Sequence, residues 1–133
     1  MESKNKHWHL YVLRLEDHKY YIGITTQTVG QRLQEHLHGR KSYWTEKYPP
    51  LEVFDTKDLG ITTKERAETY ENKVTRKYMR KYGINNVRGG DLTAIEEYAA
   101  PFGWIFYKRD WQALLMVAFL TITLGAIVFH EIF

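Results

Sequence analysis

At 133 residues the chain has room for one small domain and an appendage. Nineteen Lys and Arg against 16 Asp and Glu leave a net charge of +3, mildly basic and compatible with a nucleic-acid partner without requiring one. The absence of cysteine excludes disulfides, thiolate metal sites and a cysteine nucleophile.

The first residues are polar, and no apolar run follows Lys6, so no signal peptide is expected. Trp8 to Leu15 is rich in aromatic and aliphatic residues and reads as a strand. Glu16 to Lys19 is a polar turn, and Tyr20 to Thr25 returns as a second strand, which makes a hairpin. Gly23 interrupts that strand and implies a bulge or the close approach of another group.

Thr28 with Gln31 fits a capping box at the start of a helix. Val29, Leu33 and Leu37 form its buried stripe, and Arg32 and His36 flank that stripe one residue earlier. Gly39 ends the helix. Arg40, Lys41, Tyr43, Trp44 and Lys47 then make a basic and aromatic loop with at most one helical turn. Its Lys and Arg would hold phosphates while Tyr43 or Trp44 stacks on a base; a solvated loop with Trp44 buried is the alternative.

Leu51 to Asp55 reads as a third strand. A second capping box, Thr62 to Glu65, opens a long helix ending at Gly83. Its apolar stripe is Ala67, Val74, Tyr78 and Tyr82, and Glu71 falls within it. A carboxylate on an apolar face is costly unless it is paired or holds a cation. Asn85 to Gly90 is a tight polar turn.

From Trp111 the chain changes character. Ala113 to Phe129 carries no charge, and residues 111–133 are just long enough to span about 30 Å of hydrocarbon. Trp104, Phe106, Tyr107 and Trp111 would form an interfacial belt. Lys108 and Arg109 precede the segment and no Lys or Arg follows it, so the positive-inside rule places residues 1–110 in the cytoplasm. The expected organisation is a domain over 1–91, a linker and juxtamembrane segment over 92–110, and a transmembrane helix over 111–133.

Tyr11, Tyr21-Ile22-Gly23, Arg32 with His36, Glu71 with Asn72, and Asn86 to Gly90, in this order and spacing, resemble the GIY-YIG nuclease superfamily. Tyr-Ile-Gly is intact, whereas His9-Leu10-Tyr11 stands in place of Gly-Ile-Tyr. The resemblance implies an α/β (α+β) fold, a small three-stranded antiparallel sheet flanked by helices. It implies metal-dependent endonucleolytic cleavage of DNA, with Glu71 the only direct protein ligand of the metal, Mg²⁺ or Mn²⁺. Arg32 would fork onto phosphate oxygens. Tyr11 is the expected general base and Tyr21 would orient the water or contact phosphate, the reverse assignment staying open. His36 would accept a proton from a tyrosine or bind phosphate, and Asn86 would support the metal's surroundings. The rival expectation, motivated by the altered first motif, is a catalytically inactive membrane-tethered nucleic-acid-binding module.

Overall fold

The computed structural model describes residues 4–39, 42–94 and 96–133. They form two compact units that divide after residue 95.

The first unit is mixed α/β. Its strands are β1 (Lys6–Leu15), β2 (Tyr20–Thr25), β3 (Pro50–Thr62) and β4 (Val87–Gly89), and its helices are α1 (Val29–His38), α2 (Tyr43–Lys47) and α3 (Lys64–Tyr82). The sheet order is β3-β1-β2-β4. β1 pairs antiparallel with both β2 and β3, which gives the expected three-stranded core. β4 extends it, parallel to β2, with Tyr20–Ile22 opposite Val87–Gly89. This strand lies where a turn was expected. Two adjacent glycines read as a turn, but Gly89 serves a close approach: a Cβ there would lie 2.5 Å from the Ile22 carbonyl and 2.8 Å from Thr75 Oγ1.

β3 is 13 residues long, well beyond the expected Leu51 to Asp55. Its middle, Asp55 to Asp58, is polar and exposed, as suits an edge strand, so the apolar pattern of its first residues breaks off there. β1 carries the core. Alternation sends Tyr11, Leu13 and Leu15 to one face, where they pack with Trp44, Val29, Leu33, Tyr21 and Val53. The other face presents Leu10, Val12 and Ile22, fully or almost fully buried, and Tyr20 stacks there on Tyr82 of α3.

Helix α1 has the expected box: Gln31 N–H donates to Thr28 Oγ1 and Thr28 N–H to Gln31 Oε1, each at 3.2 Å. For α3 the cap is Thr63, not Thr62, because Thr62 is still paired with Lys6 in the sheet. The buried row of α3 also differs from the expected stripe. It comprises Ala67, Glu71, Thr75 and Met79, while Val74, Tyr78 and Tyr82 are half-buried. Thr75 can enter the core because its hydroxyl donates to the Glu71 carbonyl at 2.9 Å, leaving no unpaired donor.

The second unit begins with a short hairpin, β5 (Tyr98–Ala99) against β6 (Phe106–Tyr107), within a stretch read from sequence as linker. It continues into α4 (Lys108–Ile132), 25 residues long, whose most apolar 18-residue stretch has mean hydropathy 2.2 and in which no residue is buried. By length and composition α4 is able to cross a membrane.

Candidate active site

The site grows from the pairing of Tyr11 with Gly23 across β1 and β2. The Tyr11 phenol lies over Gly23 so closely that a Cβ at residue 23 would meet its oxygen at 2.3 Å. This is the close approach that the mid-strand glycine implied, and the occupant is a side chain of the same sheet. Tyr21 emerges on the same face two residues earlier, its ring centroid 6.4 Å from that of Tyr11.

Helix α1 delivers Arg32 and His36 one turn apart onto that phenol. His36 Nε2 lies 2.9 Å from Tyr11 Oη, and Arg32 Nε donates to the same oxygen at 3.2 Å. Arg32 also pairs with Glu35. His36 is not at the edge of the helix face as expected. It is the one residue of α1 that is completely buried, while Leu33 and Leu37 remain half-buried. Burial is affordable because both ring nitrogens are engaged, Nδ1 lying 3.2 Å from Thr45 Oγ1. Burial, aided by the Arg32 charge, pushes the His36 pKa down to about 4, so the ring is neutral at pH 7. The assigned network then has Nδ1–H facing Thr45 and the Nε2 lone pair accepting the Tyr11 proton.

Both phenols are hard to ionise. Burial raises the Tyr11 pKa, the neighbouring Tyr21 adds to it, and Arg32 opposes. Burial raises Tyr21 as well, with the Glu71 charge behind it, against Arg32 and a hydrogen bond from Ser42. Tyr11 is 1% exposed, whereas Tyr21 is half-buried.

Glu71 enters from α3 and is 9% exposed. The backbone N–H groups of Gly90 and Ile24 donate to its carboxylate. Among the described residues no cationic side chain pairs with it. Desolvation dominates, and its pKa rises to about 7. Asn72, next on the helix, accepts the Asp91 N–H at 2.9 Å and so ties α3 to the end of β4.

Asn86 is not part of this cluster. It sits past the far end of α3, donating to the Tyr82 carbonyl at 2.8 Å and accepting from Lys19 at 2.6 Å. Eleven residues of helix, about 16 Å, separate Tyr82 from Glu71. Its role is to anchor the return of the chain into β4.

The expected DNA-contact loop divides. Arg40 and Lys41 lie outside the described residues. Tyr43 is 49% exposed and Lys47 is exposed near the Tyr48 ring. Trp44 is 4% exposed, its indole N–H donating to the Tyr20 carbonyl at 3.1 Å. Its ring lies 4.5 Å from the Arg88 guanidinium carbon, so it is core and is not presented for stacking on a base. Sequence reasoning missed Thr45, Ser42 and Arg88. Thr45 follows His36 by nine residues with no periodic relation to it. Arg88 falls in the stretch expected to be a polar turn, yet it is 1% exposed and donates to the Ala94, Ile84 and Val87 carbonyls.

Comparisons with known proteins agree with this geometry. A UPF0213 protein of Xanthomonas campestris pv. campestris is 44% identical over 48 residues, 36% of this chain and 46% of the relative. A UPF0213 protein of Xanthomonas axonopodis pv. citri is 40% identical over a span of the same size. The chain thus spans about half the length of the curated relatives it matches. No solved structure matches. The family described as the GIY-YIG catalytic domain matches residues 7–85, a span that contains Tyr11, Tyr21, Arg32, His36 and Glu71. Because that span is more than half of the chain and holds the whole cluster, the protein belongs to the GIY-YIG family, a family of nucleases.

Proposed function

We propose that this chain is a divalent-cation-dependent endonuclease acting on DNA, tethered by α4 to the cytoplasmic face of a cell membrane. The observation that carries the catalytic half is Glu71: a buried carboxylate, held by two backbone N–H groups, whose pKa rises to about 7. Leaving it without a cation is costly, and binding one removes the cost. Its oxygen chemistry suits Mg²⁺ or Mn²⁺. When bound, the cation supplies charge neutralisation at the reacting phosphate.

The remaining work falls to the chain's own groups. Arg32 is always protonated, and its partly exposed guanidinium is the natural grip for a phosphate oxygen. Tyr21 takes the position nearest the attacking water. Tyr11 accepts from Arg32 and donates to neutral His36, so its phenol is held in one orientation beside Tyr21, and the depressed pKa of the buried ring keeps His36 neutral as that acceptor at pH 7. Full burial keeps His36 from touching phosphate itself.

The membrane half rests on α4. No residue of this helix is buried, and it starts with Lys108 and Arg109 and has neither residue type after them. A second reading, a tethered nucleic-acid-binding module without catalysis, draws support from His9 in the first motif and from the enclosure of Tyr11.

The test is plasmid cleavage by the full chain in detergent micelles, with Mg²⁺, Mn²⁺ or chelator, beside Glu71→Ala and Arg32→Ala. Metal-dependent nicking lost in both variants supports the enzyme. DNA binding by wild type without cleavage in either metal supports the second reading.

A further inference from the structure

Beside the phenol cluster lies a set of side chains that the nuclease reading does not use. His7 and His9 are two residues apart on β1, and their rings stack with centroids 4.7 Å apart and planes 14° from parallel. They therefore leave the same side of the strand. Asp58 of β3 is the residue opposite His9. Between Trp8 and His9 the register shifts, leaving Leu59 as an extra residue on β3. The bulge is closed by Gly60 at φ 71°, whose N–H donates to Asp58 Oδ1 at 2.7 Å. This turns the carboxylate back over β1, where His7 Nε2 lies 2.6 Å from the same oxygen. The Gly60 N–H, and then His7, hold the Asp58 carboxyl below its ordinary range, so it is an anion at neutral pH.

One donor atom from each of the three side chains lies within 4.8 Å of the other two. A tetrahedral zinc ion, with bonds of about 2.0–2.1 Å, needs its ligand atoms about 3.3 Å apart. His7 and Asp58 are more than half exposed in their side chains, so rotation about their χ angles closes that difference without moving the sheet. Two imidazoles and one carboxylate favour zinc and its first-row neighbours over magnesium, which prefers oxygen and keeps its waters. A surface His–Asp hydrogen bond alone would explain the 2.6 Å contact, but it gives no role to His9 stacked beside it.

We propose that His7, His9 and Asp58 bind a zinc-class divalent transition-metal ion, with water completing the coordination, at a site separate from Glu71. By alternation His9 shares the sheet face of Tyr11, about 7 Å along the strand. The bound ion adds two positive charges beside the Asp58 carboxylate at that rim.

The test is calorimetric titration of Zn²⁺ into the full chain in detergent micelles with millimolar Mg²⁺ present, with Co²⁺ absorption as the second readout. The expected result is one Zn²⁺ per chain and an intense visible Co²⁺ band, as four- or five-coordinate Co²⁺ gives and hydrated octahedral Co²⁺ does not. His7→Ala and His9→Gln each weaken binding by about tenfold or more, and the double variant abolishes it. Glu71→Ala and His18→Ala retain it. Zinc binding unchanged in the double variant, displacement by the Mg²⁺ present, or a wild-type Co²⁺ complex without the band would each overturn the proposal. Circular dichroism and the melting temperature establish that the variants are folded, and the wild-type Co²⁺ spectrum stands whether or not they are.

Discussion

In the first unit Val12, Leu13 and Ile22 are wholly shielded from solvent, and the polar groups His36, Thr45 and Thr75 are shielded with them. On α4, Leu115, Ile122 and Phe129 are each at least half exposed, and no residue is buried. Each apolar side chain of that size left in water forgoes about 1.5–3 kcal/mol. The first unit meets this demand internally and hydrogen-bonds His36, Thr45 and Thr75 within it. The second leaves the apolar side chains of α4 uncovered, as the proposed membrane span would need. The difference separates a unit that covers its own apolar side chains from a helix that does not.

The sharpest way to break the comparison is removal of residues 108–133. The full chain is expected to pellet with membranes and resist carbonate extraction, and the truncated chain to move wholly to the soluble fraction, as read by immunoblot. Recovery of the full chain as a detergent-free monomer would end the membrane reading.

Within the first unit, Glu71→Ala is expected to lower metal-dependent plasmid cleavage by about 10³-fold and Arg32→Ala by about 10²–10³-fold, with membrane partition unchanged. Cleavage by Glu71→Ala at the wild-type rate in magnesium would remove the metal assignment.

Glu71 and His36, buried groups whose pKa values shift in opposite directions, make a smaller and more diagnostic prediction. The folded pKa of Glu71, about 7, lies above its ordinary 4.5, so its favourable contribution is full below pH 4.5 and is lost as pH rises to 7. The folded pKa of His36, about 4, lies below its ordinary 6.5, so its contribution is present above 6.5 and is lost as pH falls to 4. Each amounts to about 3 kcal/mol, with opposite signs between pH 4.5 and 6.5. In chelator the wild-type melting temperature is therefore expected to be nearly flat across that window. For Glu71→Gln it should climb with pH. A flat profile for that variant would remove the buried-carboxylate argument.

The smallest effect is expected at Thr45→Val, which takes the Nδ1 partner from His36. Cleavage should fall by about tenfold, with a cost of about 1–3 kcal/mol in stability. An unchanged rate would reduce Thr45 to packing.

Much of this was legible in the residues themselves. The Thr28–Gln31 box, the stops at Gly39 and Gly83, the hairpin of β1 and β2, the spacing of Tyr11 and Tyr21, and the anomaly of Glu71 among apolar neighbours all depend on residues a few positions apart. The apolar run in α4 depends only on composition. Caps and periodicity are local, and local chemistry is what a linear sequence displays. What the tertiary structure alone decided involves partners far apart in the chain. β4 became a strand because Gly89 fits against Ile22 and Thr75. His36 went to the core because Tyr11 and Thr45 were there to satisfy it. Trp44 was withdrawn from any binding surface by Arg88 and the Tyr20 carbonyl. The bulge at Leu59 turned Asp58 toward His7. Burial of a polar side chain is decided by whether partners can reach it, and those partners come together only when the sheet has set its register.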